Sequence, residues 1–467
     1  MRILLPFLLF STMFICSADY AAVNKRENFA SANFARRNRA PETVVVNIIS
    51  HKKNCLFDAN HPVRYDVEVI NNYKTSQEGK IAVEVKTATG ETVGLSEIDV
   101  NLKGNRRRKF EWNIPVNDPG FYDIIFKINL SDYDDTVRNV FGYKPYEITT
   151  PVHKPADFDA YWQKAKDDLA AVDPKYNIIE EDTLSTPTHK VYRVEMYSLD
   201  NIKIYGWLTV PRPMGKYPVL YGLGGYLIEM KPIFFDDFVG FTIDPRGIGE
   251  SFNVINPNKE DVLTLHLEDK NKYVYRGIYM DCMRGLDFIL SHADMKIDIS
   301  RIGVFGGSQG GTLTWIVAAM SKKITFCVTD NPVFCDFSTN YDICSYRPDP
   351  SFVIRMLKDF FKKHNTAPKE RYMATLSYFE TQNFTPDIQC PVLLGGGLLD
   401  LMAPPTCTFS AYNRMSDAVK KKSEVYMFPQ LAHEVTKRHN TFKSTWFYEK
   451  TVFALGHQLD SKNGFKR

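Results

Sequence analysis

Three residue types, met in one order along the chain, could carry nucleophilic chemistry: a serine among glycines, then an acid, then a histidine. The serine lies in Gly306-Gly307-Ser308-Gln309-Gly310-Gly311, a G-x-S-x-G match. The motif alone arises by chance, and its surroundings give it weight. Arg301-Ile302-Gly303-Val304-Phe305 ahead of it reads as a buried strand, and Gly311 to Met320 behind it as a helix. A serine on so tight a strand-to-helix turn needs small neighbours, because side chains there would clash with the strained backbone. Such a turn presents Ser308 Oγ at the sheet edge and aims the Gln309 amide at a developing oxyanion. The bland alternative is an inert serine in a Gly-rich turn. A phosphate loop is disfavoured, since G-x-x-x-x-G-K-[ST] is absent.

A serine nucleophile requires a base, and the base an orienting acid, in the chain order Ser, Asp/Glu, His for this kind of turn. Of the histidines after the serine, His433, His439 and His457 lie in plausible positions. His433 is favoured because it comes a short loop after the apolar run EVYMFP, where a base at a strand end belongs. His439 and His457 fall in helical stretches and are expected on the surface. Asp400 ends the run CPVLLGGGLLD and precedes Met402-Ala403-Pro404-Pro405-Thr406, so it lies in a loop that opens a helix. Alone it could be a helix N-cap; third in an ordered set, it reads as the orienting acid. His433-Glu434 begins an H-E-x-x-H pattern that Lys437 breaks, and no other Cys/His cluster has ligand spacing. Neither a metal nor a cofactor is expected.

These residues need a scaffold, and the chain is long enough to supply one. Its 467 residues suggest two or three domains at about 150 residues each. With 44% hydrophobic residues and 13% aromatics it can bury a large core. The 58 basic and 55 acidic residues leave a net charge of only +3, which gives no reason to expect nucleic acid or an anionic membrane as partner. From 43 to 150 the pattern is of short alternating runs such as TVVVNII, KIAVEVKTA and FYDIIFKI, separated by turn signals. This predicts an immunoglobulin-like β-sandwich serving as an accessory domain. From 151 to 467, continuous apolar strands alternate with helical patterns, which predicts an α/β domain with a mostly parallel, doubly wound sheet.

The N-terminus reads as a signal peptide over 1–18: Arg2, then the apolar stretch Ile3 to Ile15, then small residues at Cys16-Ser17-Ala18. The stretch is short of the roughly 20 residues that span a bilayer. A polar linker over 19–42 follows. The chain is therefore expected to be exported, periplasmic or secreted, with no transmembrane segment once the signal is removed. Bulky Ile15 argues against lipid anchoring through Cys16. Of the eight cysteines, seven remain after such cleavage, with no CxxC pair. That set reads mainly as buried small hydrophobes, with a bridge in the Cys327–Cys344 region left open.

Several motifs together resemble the acetyl xylan esterase and cephalosporin C deacetylase family, carbohydrate esterase family 7, over about 151–460. They are YVYRGIYMDCMRGLDFI from Tyr273, the elbow GGSQGG, the acid loop LLDLMAPPT, and Ala432-His433-Glu434. The resemblance implies an α/β-hydrolase with Ser308 as nucleophile, His433 as base and Asp400 as orienting acid. It also implies oxyanion donors at the backbone amides of Gln309 and Tyr226, the latter in Gly224-Gly225-Tyr226 where the family has His-Gly-Tyr. A second departure is Asp244-Pro245-Arg246-Gly247-Ile248, where Ile248 replaces the glutamine of an Arg-Gly-Gln motif. The implied substrate is an acetylated oligosaccharide or polysaccharide, with cephalosporin C as a further acetyl ester. A homo-oligomer follows by analogy alone.

Tyr226, Trp315, Phe334, Phe337, Tyr341 and Tyr346 would either stack a sugar ring or fill the core and a lid running from Phe337 to Phe379. The competing functions are a broader carboxylesterase or peptidase of the same fold, and a non-catalytic carbohydrate-binding protein.

Overall fold

A computed structural model describes residues 43–255, 261–365 and 367–453. The expected signal peptide and linker, Cys16 and His457 lie outside the described residues.

The first hundred of these residues form eight strands: β1 (Val44–Ser50), β2 (Leu56–Phe57), β3 (Val63–Asn71), β4 (Gln77–Thr87), β5 (Thr92–Leu102), β6 (Arg106–Ile114), β7 (Gly120–Leu130) and β8 (Tyr133–Tyr143). They pair into a three-stranded sheet, β1-β3-β6, and a five-stranded sheet, β2-β8-β7-β4-β5. Alternation decides which side chains turn inward. Val67 and Val69, Ile81, Val83 and Val85, and Ile124, Phe126 and Ile128 sit at period two and share one core. The long strand β5 is largely exposed, which is why its sequence TVGLSEIDVNL gives no clear alternation.

The α/β part runs through α1 (Phe158–Ala170), β9 (Asn177–Glu180), β10 (His189–Tyr197), β11 (Lys203–Pro211), β12 (Tyr217–Leu223), β13 (Val239–Asp244), α2 (Phe252–Ile255), α3 (Val274–Ser291), β14 (Ile297–Gly307), α4 (Gln309–Met320) and β15 (Ile324–Asp330). It continues with α5 (Phe337–Ser345), α6 (Phe352–Lys363), α7 (Lys369–Leu376), β16 (Val392–Gly397), α8 (Pro405–Asn413), α9 (Asp417–Lys420), β17 (Glu424–Phe428) and α10 (Lys437–Tyr448). The nine strands form one sheet ordered β17-β16-β15-β14-β12-β13-β11-β10-β9. The six from β17 to β13 are parallel, and β11, β10 and β9 complete the sheet antiparallel. Every residue of β13 and β16 is buried, as expected of strands covered on both faces. The three helices α5 to α7 fill the interval between β15 and β16 where the sequence predicts a lid.

The end of β13 is tied to α3 by a buried ion pair. Arg246 Nε and Nη2 donate to the two carboxylate oxygens of Asp281, both at 2.9 Å, and the Arg246 amide donates at 2.8 Å. Ile248, where the family motif has glutamine, is buried in the same loop.

Candidate active site

Strand β14 runs directly into α4, and Ser308 sits at the junction with φ 59° and ψ −124°. A non-glycine residue holds such a backbone only where its surroundings over-determine it. Here close packing does so. A Cβ on Gly310 would lie 2.1 Å from the Leu223 carbonyl oxygen, and one on Gly306 would lie 2.6 Å from the Gly310 backbone. The Ser308 amide donates to the Asp330 carbonyl at 2.9 Å, which fastens the turn to β15.

The structure brings together the three residues that the sequence ordered. Ser308 Oγ lies 2.8 Å from His433 Nε2, and His433 Nδ1 lies 2.7 Å from Asp400 Oδ2. Asp400 is 2% exposed, and its Oδ1 accepts the amides of Met402 and Ala403 at 2.8 and 2.9 Å. Two amides thus fix the carboxylate so that its other oxygen faces the imidazole. An ionised carboxylate only accepts, so the Nδ1 proton points at Asp400 and the Nε2 lone pair at the serine hydroxyl. The acid caps no helix, since the N-cap position of α8 is Pro404. The acid and histidine loops hold each other: Leu398 N donates to Phe428 O and Leu399 N to Leu431 O, each at 3.0 Å.

Both amides expected at an oxyanion border this turn. Gln309 opens α4, where a backbone N–H has no intrahelical acceptor. Its buried side chain is held by Tyr275, whose hydroxyl donates to Oε1 at 2.6 Å. Tyr226 lies in the turn after β12, which passes beside the elbow: a Cβ on Gly225 would be 3.9 Å from the Gly307 carbonyl oxygen. The Tyr226 hydroxyl donates to Asp261 Oδ1 at 2.5 Å and accepts the Leu263 amide at 3.1 Å. Asp244, at the end of β13, braces the same loop by accepting the Met230 amide at 2.7 Å. Burial, opposed by that hydrogen bond, pushes the Asp244 carboxyl up to about 7.

His439, expected on the surface from its place in a helical stretch, is instead buried. It is 3% exposed, and its Nε2 lies 3.0 Å from Asp330 Oδ1, while Lys443 Nζ donates to Asp330 Oδ2. Burial opposes the charge of Asp330, but Lys443 and His439 outweigh it and hold the carboxyl below its usual range. The signal was present: His439 and Lys443 are four apart, on one face of α10, and Asp330 ends a buried strand. The cluster is tied to the elbow through Asp330, whose carbonyl accepts the Ser308 amide.

The aromatic platform does not form as a unit. Trp315, Phe334 and Phe337 are core residues, with Phe334 and Phe337 stacked at 5.0 Å. Tyr341 packs on Phe361, and Tyr346 turns toward β7, so of the six only Tyr226 lies in the loop after β12 beside the elbow. All seven described cysteines are free and buried, as small hydrophobes. No group of three or more His, Cys, Asp or Glu that could hold a metal exists among the described residues. None of the described helices is long and apolar enough to cross a membrane.

A mostly parallel sheet with a serine on its strand-to-helix elbow is the α/β-hydrolase fold. The family model for acetyl xylan esterase (AXE1) matches residues 142–451, and the chain belongs to that family of carboxylic ester hydrolases. It is 26% identical over 343 residues to the acetyl esterase Axe7A of Xylanibacter ruminicola, covering 70% of this chain and 74% of that protein. Two solved structures share the fold at a TM-score of 0.59 and 24% identity. They are acetyl xylan esterase 1 of a Thermoanaerobacterium species and the acetyl xylan esterase of a Paenibacillus species. In each comparison 66% of this chain and 98% of the other is covered.

Proposed function

We propose that this chain is a serine esterase that removes acetyl groups from acetylated xylan or xylo-oligosaccharides, with Ser308 as nucleophile, His433 as base and Asp400 as orienting acid. The observation that carries the reading is the pair of short contacts linking Ser308, His433 and Asp400, with the Asp400 carboxylate fixed by two amides. In the first step Ser308 Oγ attacks the acetyl carbonyl and gives its proton to His433 Nε2. The oxyanion is received by the Gln309 and Tyr226 amides, in a site where such donors need no reorganisation. The sugar oxygen leaves with the proton from His433. Water, deprotonated by His433, then attacks the acetyl-serine, and acetate departs as the proton returns to Ser308 Oγ.

Residues 43–150 are read as an accessory β domain and 151–467 as the catalytic domain, in an exported protein. Cephalosporin C is a further candidate acetyl ester, and a homo-oligomer is read by analogy with the family.

Acetate release from acetylated xylan and hydrolysis of p-nitrophenyl acetate, by wild type and Ser308→Ala, test the proposal. The variant should lose about 10³-fold or more in kcat and all fluorophosphonate labelling. Near-normal turnover by a folded Ser308→Ala variant sinks the assignment. Comparing acetyl with butyryl esters and peptide amides separates a deacetylase from the broader hydrolases.

A further inference from the structure

The eight-stranded β region lies almost wholly before residue 142, where the family match begins. Its packing nevertheless points into the active site. The apolar core of β1 to β8 is completed by three residues from the other end of the chain, Leu398, Phe409 and Met427, with Leu399 packed against it. Leu398 and Leu399 are the two residues ahead of Asp400. Phe409 belongs to the helix that follows the acid loop, and its ring lies 5.2 Å from that of Phe121 on β7. Met427 is on β17, which leads into the histidine loop, and there Gln430 Nε2 donates to Asn139 Oδ1 of β8 at 3.4 Å.

A second contact reaches the helical insertion. Asp123 of β7 is buried, and its Oδ2 accepts Arg347 Nη2 at 2.9 Å and the Tyr346 hydroxyl at 3.0 Å, just past the end of α5. Its Oδ1 accepts Arg138 Nε at 2.9 Å, so both oxygens are engaged. The Tyr346 ring covers the β4–β5 turn so closely that a Cβ on Gly90 would lie 2.7 Å from it.

We propose that the β region is a positioning element of the active site: through Leu398 it holds the loop that carries Asp400, and through Asp123 it holds the end of α5. The proposal rests on the reading of Asp400 as orienting acid. Asp400 takes its orientation from the amides of Met402 and Ala403, so it moves when its own loop moves. That loop is clamped on both sides. At Gly397 it meets the histidine loop, where a Cβ would lie 2.0 Å from the Ala432 carbonyl oxygen. At Leu398 it enters the β core. Removing the Leu398 side chain opens space into which the loop relaxes, carrying Asp400 away from Nδ1. A sugar-binding role for the same region makes the opposite forecast: changes there weaken action on the polymer and spare a small ester.

The test uses the full chain and p-nitrophenyl acetate, with Leu398→Ala, Leu398→Met and Asp400→Asn beside wild type and thermal melts for each. Leu398→Ala should lower kcat by about 10- to 100-fold, the cost of misplacing a catalytic group by about an ångström. Its KM should stay within about twofold, and Leu398→Met should restore most of kcat. A folded Leu398→Ala enzyme with wild-type kcat overturns the proposal, and so does a loss confined to acetylated xylan. If Leu398→Ala melts below the assay temperature, Leu398→Val decides on the same criteria. Should Asp400→Asn itself keep its kcat, the triad reading fails; should it lose kcat while Leu398→Ala does not, only the positioning role fails.

Discussion

Replacing Asp400 by asparagine changes one atom in shape and two things in chemistry. The Met402 and Ala403 amides, at 2.8 and 2.9 Å, both need an acceptor, so the asparagine carbonyl must face them. Its NH2 group then faces His433 Nδ1, which can only accept from it. The imidazole proton is forced onto Nε2, opposite the Ser308 hydroxyl, and the base is blocked. The second loss is electrostatic. A carboxylate hydrogen-bonded to the imidazole at 2.7 Å places the two charges about 4 Å apart once the serine proton is taken. At an effective dielectric of about 20, that attraction is worth about 4 kcal/mol, or roughly 10³ in rate. With the tautomer penalty added, kcat for p-nitrophenyl acetate should fall about 10⁴-fold. Because both backbone hydrogen bonds survive, the melting temperature should move by only about 2–4 °C. A kcat within tenfold of wild type, in a protein that melts normally, would refute the assigned role of Asp400.

Two further predictions concern stability. Burial, reinforced by the Asp336 charge, pushes the Glu380 carboxyl from its ordinary range up to about 8. The folded protein therefore keeps a proton that the unfolded chain releases, and stability is lost as pH rises through that window, by a few kcal/mol in order of magnitude. Glu380→Gln should flatten melting temperature against pH between about 5 and 8, and parallel curves for the two proteins would count against it. Lys443→Met leaves the buried Asp330 carboxylate with His439 as its remaining side-chain partner in the cluster, and should cost about 3–5 kcal/mol. Denaturant titration measures this, and a loss under 1 kcal/mol would show that the ammonium does not hold the carboxylate.

The strands β12, β13, β15 and β16 were legible in the sequence because burial on both faces writes continuous apolar runs, and these need no knowledge of their neighbours. The three proposed catalytic residues stand out for a different reason. Each follows the end of a strand of the large sheet, so local pattern and chain order pick them out without any distance. What escaped was set by contacts between distant segments. His439 looked like a polar residue on a surface helix, since nothing near it in sequence reveals that α10 docks on Asp330. Trp315, Phe334 and Phe337 carried the composition of a sugar platform, yet they fill the core, because aromatic content records how much is buried and not where. In β5 only Val100 and Leu102 are buried, so most of that strand writes no alternation.

The shared core of the β region has a cost in time. Phe121 and Leu398 are 277 positions apart in the chain. At synthesis rates of about 5–20 residues per second, roughly 15 to 55 s pass between them. During that interval β7 is complete while the leucine, phenylalanine and methionine that close over it do not yet exist. The N-terminal sheets must wait with an apolar flank uncovered, which is the condition under which nascent chains recruit chaperones or aggregate. Long-range closure of this kind is also slow in itself, because the loop entropy comes due before the contacts form. Acquisition of activity and burial of that flank are then a single late event in folding.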